Sequence, residues 1–131
     1  MTQVKIIPQH QTKDSAGADL IANETVTINQ GQIELIPTGT YVPCNLPENY
    51  FLGLYIRSSI AYKKGLMLAN SVGIIDRDYP DEIKVMLYNP GVVPVTIEKG
   101  ERIAQLIAQT YINIFPVKQS KRCGGFGSTN G

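Results

Sequence analysis

Turn-forming residues interrupt this chain roughly every eight to twelve positions, and no long stretch keeps a helical period. That spacing leaves room for short strands and little else, so it predicts an all-β fold. The chain holds more strand candidates than one flat sheet carries comfortably. Two packed sheets, a sandwich or a barrel, follow from that. Strands are predicted at 4–7 (stopped by Pro8), 18–22, 25–29, 33–36 (stopped by Pro37), 40–42, 50–57 and 72–75. Further strands are predicted at 82–88, 92–97 as an edge strand around Pro94, 103–107 and 111–116. One short helix is predicted at 58–64, with Ser58 or Ser59 as its N-cap. At 131 residues the chain is one domain. Residues 1–117 form the folded part, and 118–131, with four glycines and no apolar period, read as a mobile tail.

The central stretch is NSVGIIDRDYPDEIKVMLYN, residues 70–89. An apolar run precedes Asp76, Asp78 and Tyr79, and an alternating strand follows. The expected arrangement is a hairpin with a carboxylate-rich mouth, although Asp beside a Pro-containing turn is also ordinary turn chemistry.

Composition narrows the function classes. The net charge of +1 gives no bulk field for nucleic acid or a membrane surface. No apolar run reaches membrane-spanning length. Two cysteines outside any CxxC pair read as free thiols of a reducing cytosol. A single histidine, His10, argues against a Ser-His-Asp hydrolase and against structural zinc.

Four other stretches carry chemistry. In AGADL, Gly17 permits close backbone approach beside Asp19, a pattern also common at plain strand starts. In RSSIAYKKG, the guanidinium of Arg57 and the hydroxyls of Ser58 and Ser59 suit a phosphate, and equally suit an N-cap beside a surface cation. In GERIAQL, Gln105 sits among apolar residues, where its amide needs a ligand or a backbone partner. In KRCGGFGSTN, glycines can form an anion nest, and Phe126 offers a face for a base.

AGADL, RSSIA, NSVGIIDRDY, GERIAQL and RCGGFGST resemble, in order and spacing, the five motifs of the trimeric dUTP nucleotidohydrolases. The resemblance implies a jelly-roll-like β fold, a homotrimer with sites shared between subunits, and Mg²⁺-dependent hydrolysis of dUTP to dUMP and pyrophosphate. It implies Asp76 as the acid that orients the attacking water and Tyr79 as the ring packed on the deoxyribose. Asn70 and the backbone at Gly73 and Ile75 would read the uracil. Arg57, Ser58, Ser59 and Gln105 would handle phosphates, with Asp19 as an acid behind them. From the tail, Lys121 or Arg122 would reach the phosphates, and Phe126, Gly127 and Ser128 would close over the nucleotide as a lid. The Mg²⁺ would be held mainly by the triphosphate and waters, with no protein metal cage.

The chain departs from the family pattern in three places. Ser59 stands where the family has glycine, which is similar to the dCTP deaminases of the same fold. Asp81 stands where the family has glycine after the tyrosine. In the tail, Lys121 occupies the usual arginine position and Arg122 follows it. The competing expectations are a dCTP deaminase and a catalytically silent nucleotide-binding module.

Overall fold

The computed structural model describes residues 5–118. Over them run nine strands and one helix: β1 (Ala18–Ile21), β2 (Val26–Ile28), β3 (Ile33–Thr40), β4 (Tyr50–Ile56), α1 (Ser58–Lys64), β5 (Met67–Leu68), β6 (Gly73–Ile75), β7 (Ile83–Tyr88), β8 (Val95–Ile97) and β9 (Arg102–Thr110). They form a four-stranded sheet ordered β1-β9-β4-β6, a three-stranded sheet ordered β3-β7-β5, and a β2-β8 ribbon. Every pairing is antiparallel. The all-β expectation holds.

Alternation explains how the core is filled. Along β7 the residues Ile83, Val85 and Leu87 are buried, while Lys84, Met86 and Tyr88 are half-buried on the other side. Leu20, Leu54, Ala104 and Leu106 face them from the larger sheet, and Ile28 and Ile97 join from the ribbon. Each such leucine or isoleucine contributes about 1.5–3 kcal/mol of transfer free energy, so the inward register is strongly specified.

Helix α1 has the expected bounds but a different start. Arg57 is the N-cap residue, in extended conformation, and no side chain caps the helix. The hydroxyls of Ser58 and Ser59 therefore do not serve as the caps the sequence suggests. Gly65 ends the helix in the left-handed conformation (φ 66°), which a side chain would disfavour. Lys63 and Lys64 lie in the last turn, where cations suit the helix dipole.

Four local expectations are corrected. The central stretch is not a paired hairpin: β6 pairs with β4, whereas β7 lies between β3 and β5. The chain crosses from one sheet to the other through the Asp76–Asp81 turn. Pro37 does not stop a strand. β3 runs through it to Thr40, with a register shift between Pro37 and Thr40, and β3 is an edge strand that tolerates the missing N–H. Residues 5–7 form no strand, although Ile6 N–H donates to the Gly39 carbonyl (2.7 Å) and Thr40 Oγ1 donates to the Ile6 carbonyl (2.7 Å). Residues 111–116 form no strand either, and Ile112, Ile114 and Phe115 are exposed. The tail, with Lys121, Arg122, Phe126, Gly127 and Ser128, lies outside the described residues.

Candidate functional site

The sequence-predicted residues gather into two groups. The first surrounds a cavity of about 160 Å³ between β6 and β7, lined by Leu54, Asn70, Gly73, Ile74, Ile75, Tyr79, Lys84 and Met86. Gly73 is what lets its wall close. A Cβ there would stand 3.0 Å from the Leu54 Cβ and 3.6 Å from the Asn70 amide nitrogen. Tyr79 is 8% exposed, and its hydroxyl donates to the Glu82 carbonyl at 3.2 Å. Its own N–H donates to the Asp76 carbonyl at 3.0 Å, which closes the turn. The ring is thus anchored at both ends, as a flat apolar wall requires. Lys84 and Met86 were not singled out in the sequence. Their signal was available, since alternation puts both on the side of β7 away from the core.

Asp76 follows Ile75 directly but lines a different, wider cavity of about 440 Å³ with Glu48, Asn49, Phe51, Arg77, Asp78 and Tyr111. Arg77, which also lines it, is tied at Nε to the Leu46 carbonyl (2.8 Å).

The second group lines a cavity of about 330 Å³: Gln11, Ser15, Ala16, Gly17, Asp19, Arg57, Ser58 and Gln105. Three strands bring it together, because Asp19 on β1 and Tyr55 on β4 both stand opposite Gln105 on β9. Gln105 lies across Gly17. A Cβ at Gly17 would collide with Gln105 Oε1 and stand 2.9 Å from its Cβ. The Asp19 carboxylate meets Arg57 Nε at 3.7 Å and Arg102 Nη1 at 3.2 Å. Each of its two oxygens thus faces a guanidinium. Among the described residues, no group of three or more His, Cys, Asp or Glu side chains could hold a metal ion. Ser59 is separated from Ser58: it lines a neighbouring cavity with Arg57, Ile60, Lys63, Lys64, Gly100, Glu101 and Arg102. Gln11, Ser15 and Arg102 are further residues that sequence reasoning missed.

The two groups do not meet within one chain. Leu52 pairs with Ile75, which sets Asp76 beside the start of β4, whereas Arg57 follows its end. Phe51 and Arg57 are six residues apart on extended chain, or about 20 Å at the usual rise.

Known proteins resemble this chain in sequence and fold. The dUTPase family model matches residues 3–130. The deoxyuridine 5'-triphosphate nucleotidohydrolase of Rickettsia felis is 43% identical over 146 aligned positions, spanning 98% of this chain and 97% of its own. That of Rickettsia prowazekii is 44% identical, spanning 94% of this chain and 87% of its own. Among solved structures, the dUTPase of Streptococcus mutans superposes with a TM-score of 0.77 at 35% identity, covering 88% of this chain and 93% of that one. The family model spans nearly the whole chain, and relatives and solved structures agree with it: this chain belongs to the dUTPase family.

Proposed function

We propose that the chain hydrolyses dUTP to dUMP and pyrophosphate, with Asp76 orienting the water that attacks the α-phosphate. The observation that carries this reading is the gathering of Asn70, Gly73, Ile75 and Tyr79 around one small cavity, with Asp76 as the next residue of the chain. That cavity takes the uracil and deoxyribose. The Asn70 amide offers a donor and an acceptor to the edge of uracil, and Tyr79 packs on the sugar and leaves no room for a 2′-hydroxyl. Arg57, Ser58 and Gln105 hold the phosphates, with Asp19 behind them. No described side chains form a cage for Mg²⁺, so it would be held mainly by the triphosphate and waters, where it would supply charge neutralisation. From the tail, Lys121 or Arg122 would meet the phosphates, and Phe126, Gly127 and Ser128 would cover the base.

An attacking atom must come within about 3–3.5 Å of its target, and a water held by Asp76 and a phosphate held by the same chain's Arg57 would lie beyond opposite ends of β4. The reading therefore includes a homotrimer in which the phosphate group of one copy completes the nucleoside cavity of another. The apolar surface supports this. Ile33 and Leu35 on β3 and Met67 on β5 are 53%, 41% and 54% exposed, and in register with Tyr88 and Met86 they form one face of a sheet. Patches of this kind mark interfaces.

The test is pyrophosphate release from dUTP, UTP, dTTP and dCTP with Mg²⁺. Each buried polar group left unpaired costs about 1–3 kcal/mol, so dUTP should exceed dCTP by about a hundredfold or more in kcat/KM. Ammonia released from dCTP would instead identify a deaminase.

Gly17 supplies a second expectation. Gly17→Ala would push Gln105 off its place and raise the KM for dUTP by about tenfold, the scale of one hydrogen bond to a charged group. In a Gln105→Ala background the same change should cost little. Additive effects would show that Gly17 acts elsewhere.

A further inference from the structure

We propose that Arg102 is a positioning residue for the phosphate end of the site: it shares the Asp19 carboxylate with Arg57 and so keeps Arg57 both aimed and available. The inference rests on the nucleotide reading above.

The Asp19 side chain is 10% exposed, and a carboxylate so buried requires charged partners. It has two. Arg102 Nη1 donates to Oδ2 at 3.2 Å, within hydrogen-bonding range, whereas Arg57 Nε stands 3.7 Å from Oδ1, an ion pair without a good hydrogen bond. The tighter hold on the carboxylate is therefore that of Arg102. A second link runs through the backbone, since Arg57 Nη1 donates to the Arg102 carbonyl at 3.3 Å. The main chain is fixed nearby, with Arg57 N–H donating to the Ile103 carbonyl. Arg57 is thus held at Nε by Asp19 and at Nη1 by the backbone carbonyl of Arg102, which leaves Nη2 for the cavity it lines with Ser58 and Gln105.

Charge points the same way. Asp19 with Arg57 alone would be a neutral pair and would present little net field to a phosphate. Two guanidiniums on one carboxylate leave a net cation. The Arg102 side chain does not line the Asp19–Arg57–Ser58–Gln105 cavity. It lines the neighbouring ones, beside Ser59 and Lys63 and beside Ile6 and Thr40. It acts on the phosphates through Arg57 and not by touching them.

The test compares Arg102→Gln and Arg102→Lys in the full chain, reading kcat, KM and their dependence on added salt, together with inhibition by inorganic pyrophosphate. Arg102→Gln should raise the KM for dUTP and the inhibition constant for pyrophosphate by about tenfold, with kcat within about twofold of the parent. It should also flatten the fall of kcat/KM with salt, because one cation near the phosphates is gone. Arg102→Lys keeps the charge but not the planar fork, so it should keep the parental salt dependence with KM raised by about threefold. A purely structural role would lower Tm in both variants and leave the salt dependence alone. Parental KM and salt dependence in Arg102→Gln would overturn the proposal. Should that variant not fold, Arg102→Lys decides: a raised KM with the parental salt dependence and the parental Tm supports the role, and a parental KM, or a raised KM that comes with a lowered Tm, overturns it. A parent chain that turns over no dUTP would overturn the nucleotide reading itself, and this role with it.

Discussion

Asp76→Asn is expected to keep the fold and the affinity for dUTP while turnover falls by about 10²–10⁴-fold, the range for loss of a positioned general base. The amide has nearly the shape of the carboxylate, so packing is preserved. The turn at this point depends on the Asp76 backbone carbonyl, which accepts from Tyr79 N–H, and that bond survives the substitution. The ring of Tyr79 should therefore stay in the cavity wall, and nucleoside binding with it. What is lost is a strong acceptor for the water proton at the moment of attack. Steady-state turnover, with binding of a non-hydrolysable α,β-imido dUTP measured by calorimetry, separates the two effects. Turnover within about threefold of the parent would remove Asp76 from the chemistry. Unchanged turnover with weakened binding would make it a binding residue instead.

Mixing two inactive chains should restore activity. An Asp76→Asn chain lacks the water-orienting acid, and an Arg57→Ala chain lacks the phosphate fork. If each site takes Asp76 from one copy and Arg57 from another, random reassembly after unfolding pairs an intact acid with an intact fork in some sites. With equal mixing and no preference between chains, the recovered activity should be about a quarter of the parental value, by the statistics of a closed symmetric assembly. The geometry motivates this, since Asp76 and Arg57 lie beyond opposite ends of β4. If both act within one chain, every site lacks one of them and mixing restores nothing. That null result, with reassembly verified by mass, would falsify the shared site.

Much of the fold was legible in the sequence because alternation reports which side of a strand is buried. The Ile83-Val85-Leu87 series and the Tyr50–Ile56 strand follow from it directly. Alternation does not report which strand pairs with which. The β6 and β7 segments look like hairpin arms, yet β6 finds its ladder on β4 and β7 on β3 and β5, partners distant in sequence. Residues 111–116 have strand composition, but no described strand offers them a ladder. The site divides in the same way. Asn70, Gly73, Ile75 and Tyr79 are close in sequence and were readable as a group. Arg102 stood inside a recognised motif but was passed over, because its contact with Asp19 joins residues 83 positions apart and only the β1-β9 pairing brings them together.

The separation along β4 also has a consequence for inheritance. If each reaction centre is built from two copies, as proposed, it is not the property of a single chain. A chain carrying both Asp76→Asn and Arg57→Ala that still assembles would spoil the sites it shares with normal chains. In a cell making equal amounts of both, active sites would fall to about a quarter and not to about a half, because each needs two sound contributors. Such an allele would therefore remove more activity than a null allele that makes no chain at all.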